Sequence, residues 1–213
     1  MSDAVSTTGI LVKRLPTTLP ATVTITSSSV ANPTVILTSA AHGLTTGDTT
    51  VIAGHTGSTP TINGTHVVTV IDTTHFSIPV NVTVGGTGGT SQRNYQAIGE
   101  ITKVTPPGYS RNKIEVSTHN EGVEANVMGI LRQRDAGFSI NYVGGNTTHQ
   151  DILQDILLNR KQTWQIAFPS GNTYTARAYV QQFMLGDAPV DAAQTADVTL
   201  AWAETVVPFV PGP

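Results

Sequence analysis

Residues 41–80 read AHGLTTGDTTVIAGHTGSTPTINGTHVVTVIDTTHFSIPV, and this stretch decides the fold of the chain. It lies inside a longer segment, between Arg14 and Arg93, that contains no lysine or arginine. The only formal charges of that segment are Asp48 and Asp72, whereas charges of both signs return at ordinary spacing on either side. Because the composition changes so abruptly, we interpret the segment as a β-rich module inserted into a second domain.

Alternating β-branched residues predict that the module is all-β, as in TVTITSSS, whose pattern is that of a half-buried strand. Five or so short strands with turn signals about every 8–12 residues indicate a small sandwich or barrel. The run GGTGG (85–89) is interpreted as a flexible exit linker. A phosphate-binding loop is the alternative, but it requires a following helix, which the sequence does not predict. We place the module at 21–90 and the discontinuous flanking domain at 1–20 and 91–213.

The flanks predict a mainly-β fold with a single helix. Residues 9–15 and 137–143 are predicted strands, and 94–104 is predicted to pair with 112–118 as a hairpin. Residues 119–135 have weak periodicity and scattered charge, so we predict a long loop there.

The helix is predicted from THQDILQDILLNRK (148–161), with Thr148 as its N-cap. Its apolar stripe consists of Ile152, Leu153, Ile156 and Leu157. Trp164 and Trp202 lie in alternating strands and are predicted to pack in the core.

Composition excludes several classes of function. Only 12% of the 213 residues are charged, about half the usual fraction. This low charge fits a surface that neighbouring molecules bury, because charges are depleted from interface cores, and it fits a Thr-rich β protein equally well. A formal net charge of −3 gives no basic footprint for tight nucleic-acid binding. The chain has no cysteine, no secretory signal at its start and no apolar run of transmembrane length. We therefore expect synthesis and assembly in a cytoplasm.

No catalytic constellation stands out in the sequence. Four histidines fall in the module, but none has the local spacing of a metal-ligand pair. Glu121 and Glu124 could be imagined as the paired carboxylates of a glycosidase, but a solvated charged loop explains them better. We expect no enzymatic activity and no cofactor, although a polysaccharide depolymerase remains an alternative class.

The flanks, joined, resemble the major tail tube protein of long, non-contractile-tailed bacteriophages. The resemblance covers residues 9–15 and 93–206 and depends on the order of its parts: GILVKRL, IGEIT, KIEVST, GFSINYV, the helix, WQIAFPSG and a final VTL strand. The module is similar to a small β-module that recurs in phage tail and virion proteins, with the pattern HGL-x-x-GD followed by NGTH-x-VTV.

The resemblance implies a β-sandwich with one flanking α-helix that forms stacked rings, expected to be hexameric, around a lumen through which genomic DNA passes without specific binding. It also implies a virion tail location and the tape-measure, tail terminator and tail tip proteins as partners. Two segments are predicted to contact neighbouring copies, the N-terminal arm (2–11) and the loop 119–135. The candidate contact residues are Val5, Ile10, Leu11, Glu121, Glu124, Asn126, Met128, Arg132 and Arg134.

Two alternatives remain open. The chain could be the tube subunit of a contractile tail or of a secretion needle, because those proteins share the fold. The module, predicted to lie on the tube exterior, could instead bind the host surface weakly, with avidity from many copies.

Overall fold

The computed structural model describes residues 9–116, 126–187 and 193–209. The fold is mainly β, and the described residues contain a single α-helix, so the predicted fold class is confirmed. The elements are β1 (Leu11–Arg14), β2 (Val23–Ser28), β3 (Thr34–Thr38), β4 (Thr49–Ala53), β5 (Gly64–Val67), β6 (Thr69–Val70), β7 (His75–Ile78), β8 (Thr90–Ala97), β9 (Ile101–Thr105), β10 (Gly108–Glu115), β11 (Asn126–Arg134), β12 (Ala136–Asn141), α1 (Thr147–Leu157), β13 (Lys161–Ala167), β14 (Thr173–Leu185), β15 (Thr195–Trp202) and β16 (Val207–Phe209).

The chain divides into two compact units. The first takes the described residues of Met1–Gly99 and Gln162–Thr173, and the second takes those of Glu100–Lys161 and Tyr174–Val210. The predicted strand 94–104 is interrupted between β8 and β9, where Glu100 has a positive φ of 58°.

The first unit contains a closed β-barrel made from residues 23–95. Strand β2 pairs with β3, β3 with β7, and β7 with β6, while β5 pairs with β4, β4 with β8, and β8 again with β2. Strands β5 and β6 are consecutive parts of one extended run, separated only by Val68. Closing a sheet in this way pairs strand edges that would otherwise be open.

The barrel has its own apolar core. It consists of Ile25, Ile36, Leu44, Ile52, Ile62, Val68, Phe76, Ile78 and Val82, each at most 7% exposed. All nine residues fall within the predicted module, 21–90. The strand that closes the barrel, β8, begins at Thr90, and the module boundary itself stays a prediction.

The glycine run 85–89 is not a flexible linker, contrary to the sequence interpretation. Its backbone continues the pairing of β8 along β2, because Ile25 N donates to Gly89 O and Ser28 N donates to Gly86 O, both at 2.9 Å. A Cβ on Gly85 would lie 2.5 Å from Ser28 O. Glycine is therefore needed here for close approach of two backbones.

Strand β8 extends beyond the barrel into a second pairing. Its last residues pair with β1 (Lys13↔Ala97), and β1 pairs on its other side with β13 (Arg14↔Trp164). Trp164 is fully buried, as predicted. The predicted strand at 9–15 is thus confirmed as β1, within the first unit.

The second unit contains an antiparallel sheet in the order β14–β15–β12–β9 and a separate two-stranded ribbon, β10–β11. Alternate residues of β12 and β15, such as Phe138, Ile140, Val198 and Leu200, are buried. The predicted hairpin between 94–104 and 112–118 is wrong, because β9 pairs with β12 and β10 pairs with β11. The prolines Pro106 and Pro107 indicate only that the chain changes direction, which fits a corner between two sheets as well as the turn of a hairpin.

Helix α1 begins two residues earlier than its sequence predicts. Asn146, not Thr148, is the N-cap, since Asn146 Oδ1 accepts a hydrogen bond from Thr148 N at 2.9 Å. The buried positions are Thr148, His149, Ile152 and Asp155, whereas Leu157 at the end of the predicted stripe is 68% exposed.

Candidate functional site

The ribbon β10–β11 is attached to its own unit through its base. Tyr109 and Gln133 are register partners at that end of the ribbon. The Tyr109 hydroxyl donates to Val206 O, Val206 N donates to Gln133 Oε1 at 3.1 Å, and Gln133 Nε2 donates to Glu204 O at 3.3 Å. These contacts fix where the ribbon leaves the sheet.

The ribbon exposes an unusual concentration of large apolar side chains. Ile130 is 84% exposed and Met128 is 64% exposed. Ile114, Val116, Val127 and Leu131 are each about half exposed. A two-stranded ribbon is at best marginally stable by itself in water, because it lacks a face buried against another element. A clustered apolar surface of this kind is typical of a protein–protein contact.

A local irregularity sits in the middle of the ribbon. The register shifts between Arg111 and Lys113, so that β11 carries an extra residue near Gly129. A Cβ on Gly129 would lie 3.1 Å from Asn112 O and 3.3 Å from Ile114 Cδ1. Glycine therefore allows the two strands to stay close where the bulge increases their twist.

Positive charge accompanies the apolar side chains. Arg111, Lys113, Arg132 and Arg134 supply four of the chain's eleven lysines and arginines, against one carboxylate, Glu115. The described ribbon therefore carries +3, and since the chain carries −3, the remainder carries −6. A second copy of the chain thus offers a surface of opposite net charge, which favours docking of one copy on another.

The predicted contact residues fall into three groups. Asn126, Met128, Arg132 and Arg134 are exposed on β11, so the predicted loop 119–135 is wrong for its described part, which is a strand. Ile10 and Leu11 are half-buried, and Leu11 pairs with Ala167. Val5, Glu121 and Glu124 lie outside the described residues. Sequence reasoning missed Ile114 and Ile130, because a ribbon exposed on both faces shows no alternation of polar and apolar residues.

The histidines of the module hold its turns. His42 Nε2 donates to Asp72 O at 2.8 Å, and its Nδ1 accepts from Leu44 N at 3.0 Å. His66 Nε2 donates to Ile62 O at 2.8 Å. The histidines of the HGL and NGTH patterns thus satisfy backbone groups that would otherwise be unpaired in turns.

His55 and His75 have comparable local roles. His55 Nδ1 donates to Gly88 O at 2.7 Å, so its Nε2 accepts from Ser28 Oγ at 3.0 Å. His75 Nδ1 lies 2.8 Å from the Asp72 carboxylate. Hydrogen bonds from Thr74 and His75 hold the pKa of Asp72 well below its usual range.

A buried charge cluster lies where β1, β4 and β8 meet in the first unit. It consists of Lys13, Asp48, Thr49 and Arg93. Asp48 is fully buried, and Lys13 is 2% exposed. Lys13 Nζ donates to Thr49 Oγ1 at 2.9 Å, and Arg93 Nη1 lies 3.7 Å from Asp48 Oδ2. Burial lowers the pKa of Lys13, and the charge of Asp48 opposes that shift.

The described ranges 9–116, 126–187 and 193–209 contain neither a cluster of metal ligands nor a membrane-crossing helix. No group of three or more His, Cys, Asp or Glu side chains is arranged to hold a metal ion. The single helix there, α1, is not long and apolar enough to cross a membrane.

Comparison with known proteins gives only distant likenesses. No protein-family model matches the sequence, and no curated protein matches it. Among solved structures, the chain is similar to one from the anti-feeding prophage (AFP) baseplate, with 10% identity and a TM-score of 0.43 over 55% of this chain and 84% of that one. It is also similar to a chain of the tail of an empty GTA particle, with 10% identity and a TM-score of 0.45 over 55% of this chain and 87% of that one. Likenesses at this level carry no argument about function.

Proposed function

We propose that this protein is a structural subunit of a phage-type virion tail, which assembles with copies of itself into stacked rings around a lumen that conducts DNA. The observation that carries the proposal is the β10–β11 ribbon, whose exposed aliphatic side chains lie among cations in a chain of otherwise acidic balance. A surface that differs from the patch it docks on makes a heterologous contact, and such contacts generate rings or helical stacks.

The ordered resemblance of the flanks to tail tube proteins supports the same proposal from the sequence. The low charge supports it as well, because a wall that must let DNA pass should not neutralise phosphates with lysine and arginine. In this proposal the protein has a structural and not a catalytic role. Its partners are its own copies and the tape-measure, terminator and tip proteins.

The host-binding alternative receives no support from the barrel surface. Phe76 is the only Phe, Tyr or Trp between residues 21 and 90, and it is fully buried. A sugar-binding surface usually relies on an exposed aromatic ring, since such rings offer a large flat apolar face. Binding of the module to a host surface therefore stays a prediction, and adsorption of cells by a variant that lacks residues 21–90 would test it.

The proposal is tested by shortening the ribbon at its register. Arg111 and Leu131 are partners, so an Asn-Gly turn can replace residues 112–130 and join the two strands as a short hairpin. The anchors Tyr109 and Gln133 remain in this variant. We expect the full chain to form rings or tubes at high concentration and the shortened chain to stay a folded monomer, as judged by sedimentation velocity and circular dichroism. Assembly of the shortened chain at the concentration needed by the full chain would contradict the assignment.

A further inference from the structure

The turn before β4 is fastened to the end of β8 by one carboxylate. Asp48 Oδ1 accepts a hydrogen bond from Ala97 N at 2.8 Å, and Asp48 Oδ2 accepts one from Thr45 N at 2.9 Å. Ala97 is also the register partner of Lys13 in β1. The buried side chain of Asp48 in the barrel therefore fixes Ala97, a residue with which β1 pairs.

The charges of Lys13 and Asp48 also link β1 to the turn before β4. Lys13 is 2% exposed, and the hydrogen-bond acceptor that its ammonium group finds is Thr49 Oγ1, the residue after Asp48. A buried ammonium group is costly unless an opposite charge is close. Asp48 and Asp72 are the only acidic residues between positions 15 and 92, and Asp72 is exposed. The barrel therefore supplies Asp48 as the counter-charge for a lysine that belongs to β1.

Packing at this junction is close as well. Gly47 has a φ of +95°, and a Cβ there would lie 3.2 Å from Ala97 Cβ and 3.6 Å from Leu11 Cδ2. The GD pair of the HGL-x-x-GD pattern thus has two functions: Gly47 leaves room for Leu11 of β1 and Ala97 of β8, and Asp48 accepts the hydrogen bond from Ala97 N.

We propose that Asp48 couples the folding of the barrel to the seating of β1 between β8 and β13, so that these elements form and open as one cooperative unit. The N-terminal strand β1 then takes its native position only when the inserted module has folded, so the two are parts of one folding unit. A chain whose barrel has not closed lacks the counter-charge for Lys13 and the acceptor for Ala97 N. This inference concerns the single chain and holds whether or not the chain forms a tube.

The test measures amide hydrogen exchange by mass spectrometry in Asp48→Asn. Asparagine keeps one acceptor oxygen where Asp48 uses two, so the variant removes the charge and one of the two hydrogen bonds from Ala97 N and Thr45 N. We expect exchange at least tenfold faster in peptides covering β1, the end of β8 and β13, together with the barrel strands, and unchanged exchange in β12 and β15. Asp72→Asn is the matched control, because it removes the other carboxylate of the barrel from an exposed turn. Wild-type protection of β1 and β13 in Asp48→Asn would overturn the proposal.

Two further measurements keep the proposal open to refutation if Asp48→Asn does not fold. The double variant Lys13→Met/Asp48→Asn removes the buried ammonium group together with its counter-charge. It leaves only the partly exposed Arg93, which also donates to Gly43 O at 3.2 Å, so protection of β1 should recover at least partly. In the wild-type chain at low denaturant, the amides of β1 and of β3 should exchange through the same opening, with equal dependence on denaturant. No recovery in the double variant, or separate openings for β1 and β3, would contradict the coupling.

Discussion

Ile130 offers the sharpest test of the ribbon as an assembly surface. Its side chain is 84% exposed in the single chain, so Ile130→Ser should change the stability of the monomer by less than about 0.5 kcal/mol. Fully burying an isoleucine contributes about 1.5–3 kcal/mol, and scaling by the 84% exposure leaves about 1.3–2.5 kcal/mol for a contact with a neighbouring copy. Because about 1.4 kcal/mol corresponds to tenfold in an equilibrium constant, the critical concentration for assembly should rise roughly tenfold to sixtyfold.

The assay is light scattering against protein concentration, with sedimentation velocity to identify the species. Ile71→Ser is the matched control, because Ile71 is 57% exposed but lies in the barrel, where the same substitution should leave the critical concentration unchanged. The reasoning fails if Ile130→Ser assembles like the wild type, or if Ile71→Ser impairs assembly to the same degree.

Two predictions concern the barrel and its junction. Gly86→Ala should lower the free energy of unfolding by about 1–3 kcal/mol through overpacking, because its Cβ would lie 2.6 Å from both His55 Nε2 and Ser58 N. In Gly145→Ala, the added Cβ would have nothing within 4 Å, so this control should stay within about 0.5 kcal/mol of the wild type. Both variants are measured by urea titration. Equal unfolding midpoints for Gly86→Ala and Gly145→Ala would contradict close packing around the glycine run. Burial lowers the pKa of Lys13, so at alkaline pH the unfolded chain holds this proton after the folded chain has released it, and stability rises with pH in that window. The unfolding free energy of the wild type should therefore rise relative to that of Lys13→Met between pH 8 and 10. Burial also raises the pKa of Tyr95, but this residue is present in both proteins and affects them alike. A difference in unfolding free energy that does not change with pH would refute the effect of Lys13.

The barrel strands were largely predictable from the sequence because each has one buried face. Val35 and Leu37 alternate with fully buried Ile36, and such alternation is the signal that predicts a strand. The turn residues were also recognisable in the sequence, but the sequence did not show which groups they bond. His42 and Asp48 read as a pattern in the sequence, whereas only the structure shows that they bond to backbone groups far along the chain.

The ribbon and the glycine run were mispredicted for opposite reasons. Asn126–Arg134 is a strand that buries neither face, so it carries no periodicity to detect. Gly85–Gly89 looks flexible in isolation, since glycine lowers the barrier to many backbone conformations. In the folded chain Gly85, Gly86 and Gly89 are constrained, because atoms of Ser28 and His55 lie where their side chains would otherwise be. Contacts between residues distant in sequence decide both cases, and a single sequence does not display them.

The central claim is self-assembly into rings that enclose a lumen. Negative-stain electron microscopy of the purified chain, over a concentration series, tests it most directly. We expect rings or stacked tubes with a central hole, which disappear when residues 112–130 are replaced by a two-residue turn. A uniform population of monomers at the highest concentrations would refute assembly into rings.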